Sequence, residues 1–537
     1  MPRRTFRAAL AVVATILVGL GTQAPAGAAS SHALIQGSGS GWSANAINQW
    51  DADVKPNGLA VVYSNSGSAI GRKEFANRTT DFGVSDIGYL GVDPITGDPD
   101  TSQGRDFAYL PVVAGGTSFP YQIRVAGKLI RNLRLSGATI AKIFTNQITN
   151  WNDPAITADN NGHKLPSITI IVVVHSEGSG ATAQFTRYLD HMFPSTWRPF
   201  QGQSGSTEYF PRKNPMIGQN GADQVMNFIA QKSANGAIGY DEYSYALNKD
   251  YPVAKVLNAA GYYTLPNQYN VAVALTKAQI NQDKSSPDYL LQNLDSVYTY
   301  NAVQTYALSS YSYMIIPTSS TDPKMTTAKR QTLADYLYYA TCEGQKEMGP
   351  IGYSPLPINL VQASFDQTAK LKVADPNVDL NARAVTTCKN PTFDPSNPAR
   401  NYLAEIAPKP PACDHTGAGP CTDAGSTGQQ NPTSNSGGGT KQPATGGTKG
   451  PSTGPSATAS GSASPSAGAV DPETGALLGD TGTGSGDAVA LPTELAAYRS
   501  DSPTGALAVV AVLLLLLALA APPLLARRFT RPPRDDA

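Results

Sequence analysis

Three short glycine–serine segments hold the residue types best suited to binding chemistry: Gly37-Ser-Gly-Ser-Gly-Trp42, Asn65-Ser-Gly-Ser-Ala-Ile-Gly71 and Glu177-Gly-Ser-Gly-Ala-Thr182. Glycine lets a backbone approach a ligand closely, and serine hydroxyls add donors. The second and third segments lead into stretches that read as helices. A helix start offers free N–H groups and the positive end of the helix dipole, which together suit an anion. Alone, each segment is an ordinary turn signal. Converging, the three would form an oxyanion cradle.

Other chemistries find little support. Gly178-Ser179-Gly180 is not the G-x-S-x-G elbow of a hydrolase, and no G-K-[ST] follows a glycine loop as a phosphate-cradling P-loop requires. His163 and His191 have no nearby nucleophile motif, and the carboxylates show no acid–base pairing pattern. There is no C-x-x-C, and His415 stands apart, so neither a metal nor a cofactor is expected. Lys plus Arg and Asp plus Glu both number 40, a net charge of +0 that gives no footprint for nucleic acid.

The elements that must position the segments alternate. Strands are expected at 59–63, 81–84, 108–113, 168–174, 237–240 and 313–316. Helices are expected at 69–77, 136–144, 182–192, 222–232 and 329–340. Such alternation predicts an α/β fold with parallel sheets, whose ligands sit beyond the carboxyl ends of strands. The roughly 375 residues available for folding suit two lobes better than one core.

The ends of the chain fix the expected compartment. Arg3, Arg4 and Arg7 precede an apolar run from Ala8 to Leu20, and small residues follow, so 1–28 reads as an export signal. The Sec route is expected, although Arg3-Arg4 also resembles a twin-arginine start. Residues 505–526 carry no charge and are mostly Leu, Ala and Val, long enough for a transmembrane helix. Arg527, Arg528, Arg531 and Arg534 follow, which predicts a cytoplasmic tail at 527–537 and an extracellular N-terminal part. Residues 408–500 are mostly Gly, Ser, Thr, Pro and Ala, with no aromatic residue between Tyr402 and Tyr498. They are expected to form a disordered stalk. Four cysteines allow three pairings; proximity favours Cys342–Cys388 and Cys413–Cys421.

The motifs, taken in order from about Gly37 to Leu360, resemble the phosphate-binding proteins of ABC-type phosphate uptake, the PstS-type solute receptors. Gly37-Ser-Gly-Ser-Gly-Trp-Ser43 with Trp50 is similar to that family's opening loop. Tyr63-Ser-Asn-Ser-Gly-Ser68 followed by Asp81-Phe-Gly-Val-Ser-Asp86 is similar to its most specific signature. Ile148-Thr-Asn-Trp151, Val172-Val-Val-His175-Ser-Glu-Gly-Ser-Gly180 and Gly236-Ala-Ile-Gly-Tyr240 continue the series.

The resemblance implies a two-lobed, hinged, type II periplasmic-binding-protein-like fold over 31–407. The first lobe would comprise about 33–118 and 305–405, the second about 122–300. It implies capture of inorganic phosphate or a related oxyanion for an ABC permease, with no enzymatic step. Backbone N–H groups of Gly41 and Trp42, the Ser68 hydroxyl and N–H, and donors at Ser179 and Gly180 would hold the ligand. Asp86 would accept the proton of hydrogen phosphate, which sulfate lacks near neutral pH. A strand-end cap is the alternative reading of Asp86.

Two departures from the family stand at the third loop. His175 replaces the usual arginine, and Ala181 replaces a threonine. Glu177 could pair with His175. Weaker, more pH-dependent phosphate binding is the resulting expectation. Receptors for another oxyanion or a phosphorylated small molecule, and a cell-surface adhesion or signalling module keeping the fold, are the alternatives.

Overall fold

Runs of β-branched and aromatic residues form the central strands, and several end in the glycine–serine segments where helices begin. The computed structural model describes residues 32–421, except 284, 287, 382, 395, 396 and 420. One six-stranded sheet has the order Asp241–Glu242, Phe107–Ser118, Ser309–Pro317, Phe82–Ser85, Ile35–Gly39, Val61–Asn65. Ile35–Gly39 is parallel to both neighbours, whereas Ser309–Pro317 is antiparallel to Phe82–Ser85 and Phe107–Ser118.

A second, three-stranded parallel sheet centres on Ile171–His175, flanked by Ile217–Gln219 and Ala237–Ile238. The chain leaves the first lobe along Phe107–Ser118, and Tyr121 bridges Ile238 of the second. Asp241–Glu242 pairs back on Thr117 and Ser118, so the lobes are joined by adjacent strands. The α/β architecture expected from strand–helix alternation and the two lobes expected from length are present, but the larger sheet is mixed rather than parallel.

Helix Ser68–Ala76 lies unusually close to its sheet. A Cβ at Gly71 would sit 2.4 Å from the Gly39 Cα and 2.8 Å from the Ser38 carbonyl oxygen. Only glycine permits that approach. It brings the second glycine–serine segment against the first.

Helix Ala44–Val54 is anchored by Trp50, which is fully buried and donates its indole N–H to the Gly344 carbonyl at 3.0 Å. Trp50→Ala removes a large side chain from a packed site together with its hydrogen bond to that carbonyl. It is expected to destabilise the fold by about 4 kcal/mol, read as a lowered midpoint of denaturant unfolding.

Helix Gln268–Leu275 packs on Phe107–Ser118 and Ser309–Pro317 of the larger sheet. It therefore belongs with the first lobe, not within a second lobe running to 300. The first part of the expected stalk is also folded. Just ahead of it, Leu403 and Ala407 pack with Tyr269, Ala272 and Val273. Asp414 is buried and pairs with Arg134 at 3.2 Å and Lys255 at 2.7 Å. The folded part thus reaches Cys421, beyond the boundary at 408.

Both favoured disulfides, Cys342–Cys388 and Cys413–Cys421, are present. The export signal, the rest of the stalk, the 505–526 helix and the 527–537 tail lie outside the described residues. Among the described residues no helix is long and apolar enough to cross a membrane.

Candidate functional site

The three glycine–serine segments meet. Ser66 and Gly67 donate their N–H groups to the Gly39 carbonyl at 3.1 and 2.8 Å, joining the second segment to the first. Ala69 N–H donates to the Gly178 carbonyl at 3.2 Å, joining the second to the third across the lobes. Between them lies a cavity of about 170 Å³ lined by Gly41, Trp42, Ser68, His175, Ser179 and Gly180. It has room for one small oxyanion and a few waters.

Helices Ser68–Ala76, Gly180–Met192 and Ala222–Ala230 all begin at this cavity. Three positive dipole ends converge there. The third was not foreseen. Asn220-Gly221 ahead of the expected 222–232 helix is the local signal that could have shown it. The same first turn also brings Asp223 to the cavity wall.

His175 ends the strand Ile171–His175 with its ring buried at 3 % exposure. Its Nδ1 lies 2.6 Å from Glu177 Oε1, while Glu177 Oε2 accepts the Gly221 N–H at 2.9 Å. The Nε2 atom is buried without a hydrogen-bond partner among the described residues. Burial alone would lower the imidazole pKa. The charge and hydrogen bond of Glu177, with the nearby Asp241 carboxylate, outweigh it and push the value up to about 9. Glu177 is held below the usual carboxylate range, its own burial outweighed by His175. The ring is therefore an imidazolium at neutral pH, a cation at the edge of an anion-sized cavity. The pH dependence expected of His175 is therefore displaced to the alkaline side.

Asp86 stands one layer back. Its carboxylate accepts the hydroxyls of Ser40 at 2.8 Å, Ser68 at 3.2 Å and Ser312. Burial raises its pKa against those hydrogen bonds and the charge of Arg72. It does not line the 170 Å³ cavity. A Cβ at Gly180 would sit 2.2 Å from Asp86 Oδ2 and 2.5 Å from Ser68 Oγ. Gly180→Ala is expected to prevent closure of the lobes there. Loss of any thermal shift by anions, with the anion-free midpoint kept, is the measurable outcome.

Ser40 and Ser312 are site residues that the sequence did not single out. Ser40 lies inside the first quoted segment, whereas nothing local marks Ser312. Ala181 is placed differently from expectation. Its methyl packs in the hydrophobic cluster of Trp42, Val84 and Met314, away from the cavity lining. The missing threonine hydroxyl thus falls at a position whose side chain points into the core.

Two α/β lobes closed over a small cavity rimmed by helix N-termini define a hinged solute receptor. The chain belongs to the PBP superfamily, whose domain model matches residues 24–343, and within it to the family of its PstS relatives. It is 30% identical over 309 residues to phosphate-binding protein PstS 2 of Mycobacterium tuberculosis, covering 56% of this chain and 76% of that one. It is 29% identical over 348 residues to phosphate-binding protein PstS of Xylella fastidiosa, covering 64% and 87%. A solved periplasmic phosphate-binding protein with bound phosphate is similar at 19% identity, with a TM-score of 0.46 over 66% of this chain and 97% of that one.

Proposed function

We propose that this protein captures inorganic phosphate in the cavity between its lobes and delivers it to an ABC-type importer. Binding, with no chemical step, is the activity. The observation that carries the reading is the convergence of three helix N-termini and a paired imidazolium on one cavity. Backbone N–H groups near Gly41, Trp42, Ser68 and Gly180 and the Ser179 hydroxyl supply donors, and His175 supplies charge. The names of its PstS relatives support phosphate as the ligand.

The ends of the chain extend the proposal. Residues 1–28 would direct export, and the 505–526 helix would hold the receptor at the membrane by a stalk beginning after Cys421. A tether raises the effective concentration of receptor near a permease. Calorimetric titration of the purified protein with phosphate, sulfate and organic phosphates tests the ligand. Tight saturable binding of phosphate alone is expected. Preference for a phosphorylated small molecule would overturn it, and no response to any anion would favour an adhesion or signalling role.

A further inference from the structure

Behind the cavity, Arg72 and Glu208 face each other from opposite lobes, both with side chains at or below 1 % exposure. Arg72 lies one turn beyond Ser68 on the same helix, so it shares that face. Its own lobe holds it ready. Nε and Nη2 donate to Asp100 at 2.8–3.2 Å, and Nη1 donates to Ser85 Oγ at 3.2 Å. Nη2 also reaches across to Glu208 Oε1 at 2.8 Å.

Glu208 has a second contact. Its main-chain carbonyl accepts the Ser179 N–H at 2.9 Å. The residue therefore touches the opposite lobe with its carboxylate and steadies the third binding loop with its backbone. Its other carboxylate oxygen, Oε2, is buried without a partner among the described residues. A carboxylate so desolvated is tolerable only while the guanidinium is in place. Separation of the lobes would return it to water, whereas Arg72 would keep Asp100.

We propose that Arg72 and Glu208 are positioning residues, whose ion pair latches the two lobes shut behind the bound anion and aligns the helix starts at Ser68 and Ser179. The inference deepens the receptor reading above and rests on it. Because the pair forms after the anion enters, its loss should speed release while leaving capture nearly unchanged. A pair serving only the packing of each lobe would not separate these rates.

Glu208→Gln keeps the shape and removes the charge. In the full chain it is expected to raise the phosphate dissociation rate about tenfold, the effect of one charge-assisted hydrogen bond, with the association rate within twofold of wild type. The Ala69 amide, whose acceptor lies on the other lobe, should also exchange about tenfold faster in deuterium. Amides of helix Thr327–Thr341, wholly in the first lobe, should exchange as in wild type. Wild-type protein that binds no phosphate would defeat the phosphate reading and leave exchange at Ala69 to decide the latch. Unchanged exchange at Ala69 in Glu208→Gln would overturn the latch whether or not phosphate binds.

Discussion

Asp86→Asn should weaken the discrimination of phosphate from sulfate by about 30-fold at pH 7. Asp86 accepts hydrogen bonds from the hydroxyls of Ser40, Ser68 and Ser312, so the Ser68 hydrogen points away from the cavity that Ser68 lines. What Ser68 then offers a ligand is an oxygen lone pair. A lone pair accepts the proton of hydrogen phosphate and repels the unprotonated oxygens of sulfate.

Asparagine has nearly the carboxylate's shape and carries no charge. Its amide group donates, so Ser68 can turn its own hydrogen toward the cavity. Sulfate then gains a donor, and hydrogen phosphate loses an acceptor. A change of about 2 kcal/mol in relative affinity is the size of one hydrogen bond to a charged group. Competition calorimetry with the two anions reads it. Wild-type discrimination in Asp86→Asn would show that selectivity resides elsewhere on the cavity wall.

This differs from the role the motif implied for Asp86, and the difference shows what a sequence can carry. Glycine and serine at strand-to-helix junctions are local signals, so all three binding segments were legible. Asp86 was singled out in the sequence, but its setting behind the cavity wall was not legible there. That setting depends on Ser312, 226 positions away in sequence, and on how closely Gly180 approaches. Arg72 and Glu208 were missed for the same reason, since their meaning exists only when two lobes close.

Ala181 is a different case. The resemblance implied a ligand-facing position, yet Ala181, the second residue of its helix, belongs to the hydrophobic cluster and not to the cavity lining. Toward the C-terminus, the composition of 408–421 resembles that of the residues that follow. Asp414 and two cysteines are enough to pin it down, and average composition cannot register them.

His175→Gln carries the second large expectation, a loss of phosphate affinity of about 30-fold at pH 7 together with the loss of an alkaline transition. In wild-type protein the imidazolium should persist through neutrality, because Glu177 and Asp241 outweigh the burial that opposes it. Affinity should therefore show no His175 titration between pH 5.5 and 8 and should fall as pH passes about 9. The same group links folding to pH. Its pKa is raised on folding, from the usual value near 6.5. The stability it adds is complete below about pH 6.5 and is lost as pH rises through about 9.

A rise of that size corresponds to about 3 kcal/mol when the ring is fully paired. Asp241 titrates in the same neighbourhood, its carboxyl raised by burial to about 7 against the His175 charge. Its contribution runs from full stability at low pH to loss near neutrality, so it precedes the His175 transition. Denaturant unfolding of ligand-free wild-type and His175→Gln proteins at pH 7 and 10 isolates the histidine by difference. Wild-type protein should lose more stability than the variant over that interval. Phosphate's own second ionisation lies below pH 8 and leaves the alkaline limb of binding to the protein. A variant that keeps the same alkaline fall in both stability and affinity would show that His175 is not the cation of the cleft.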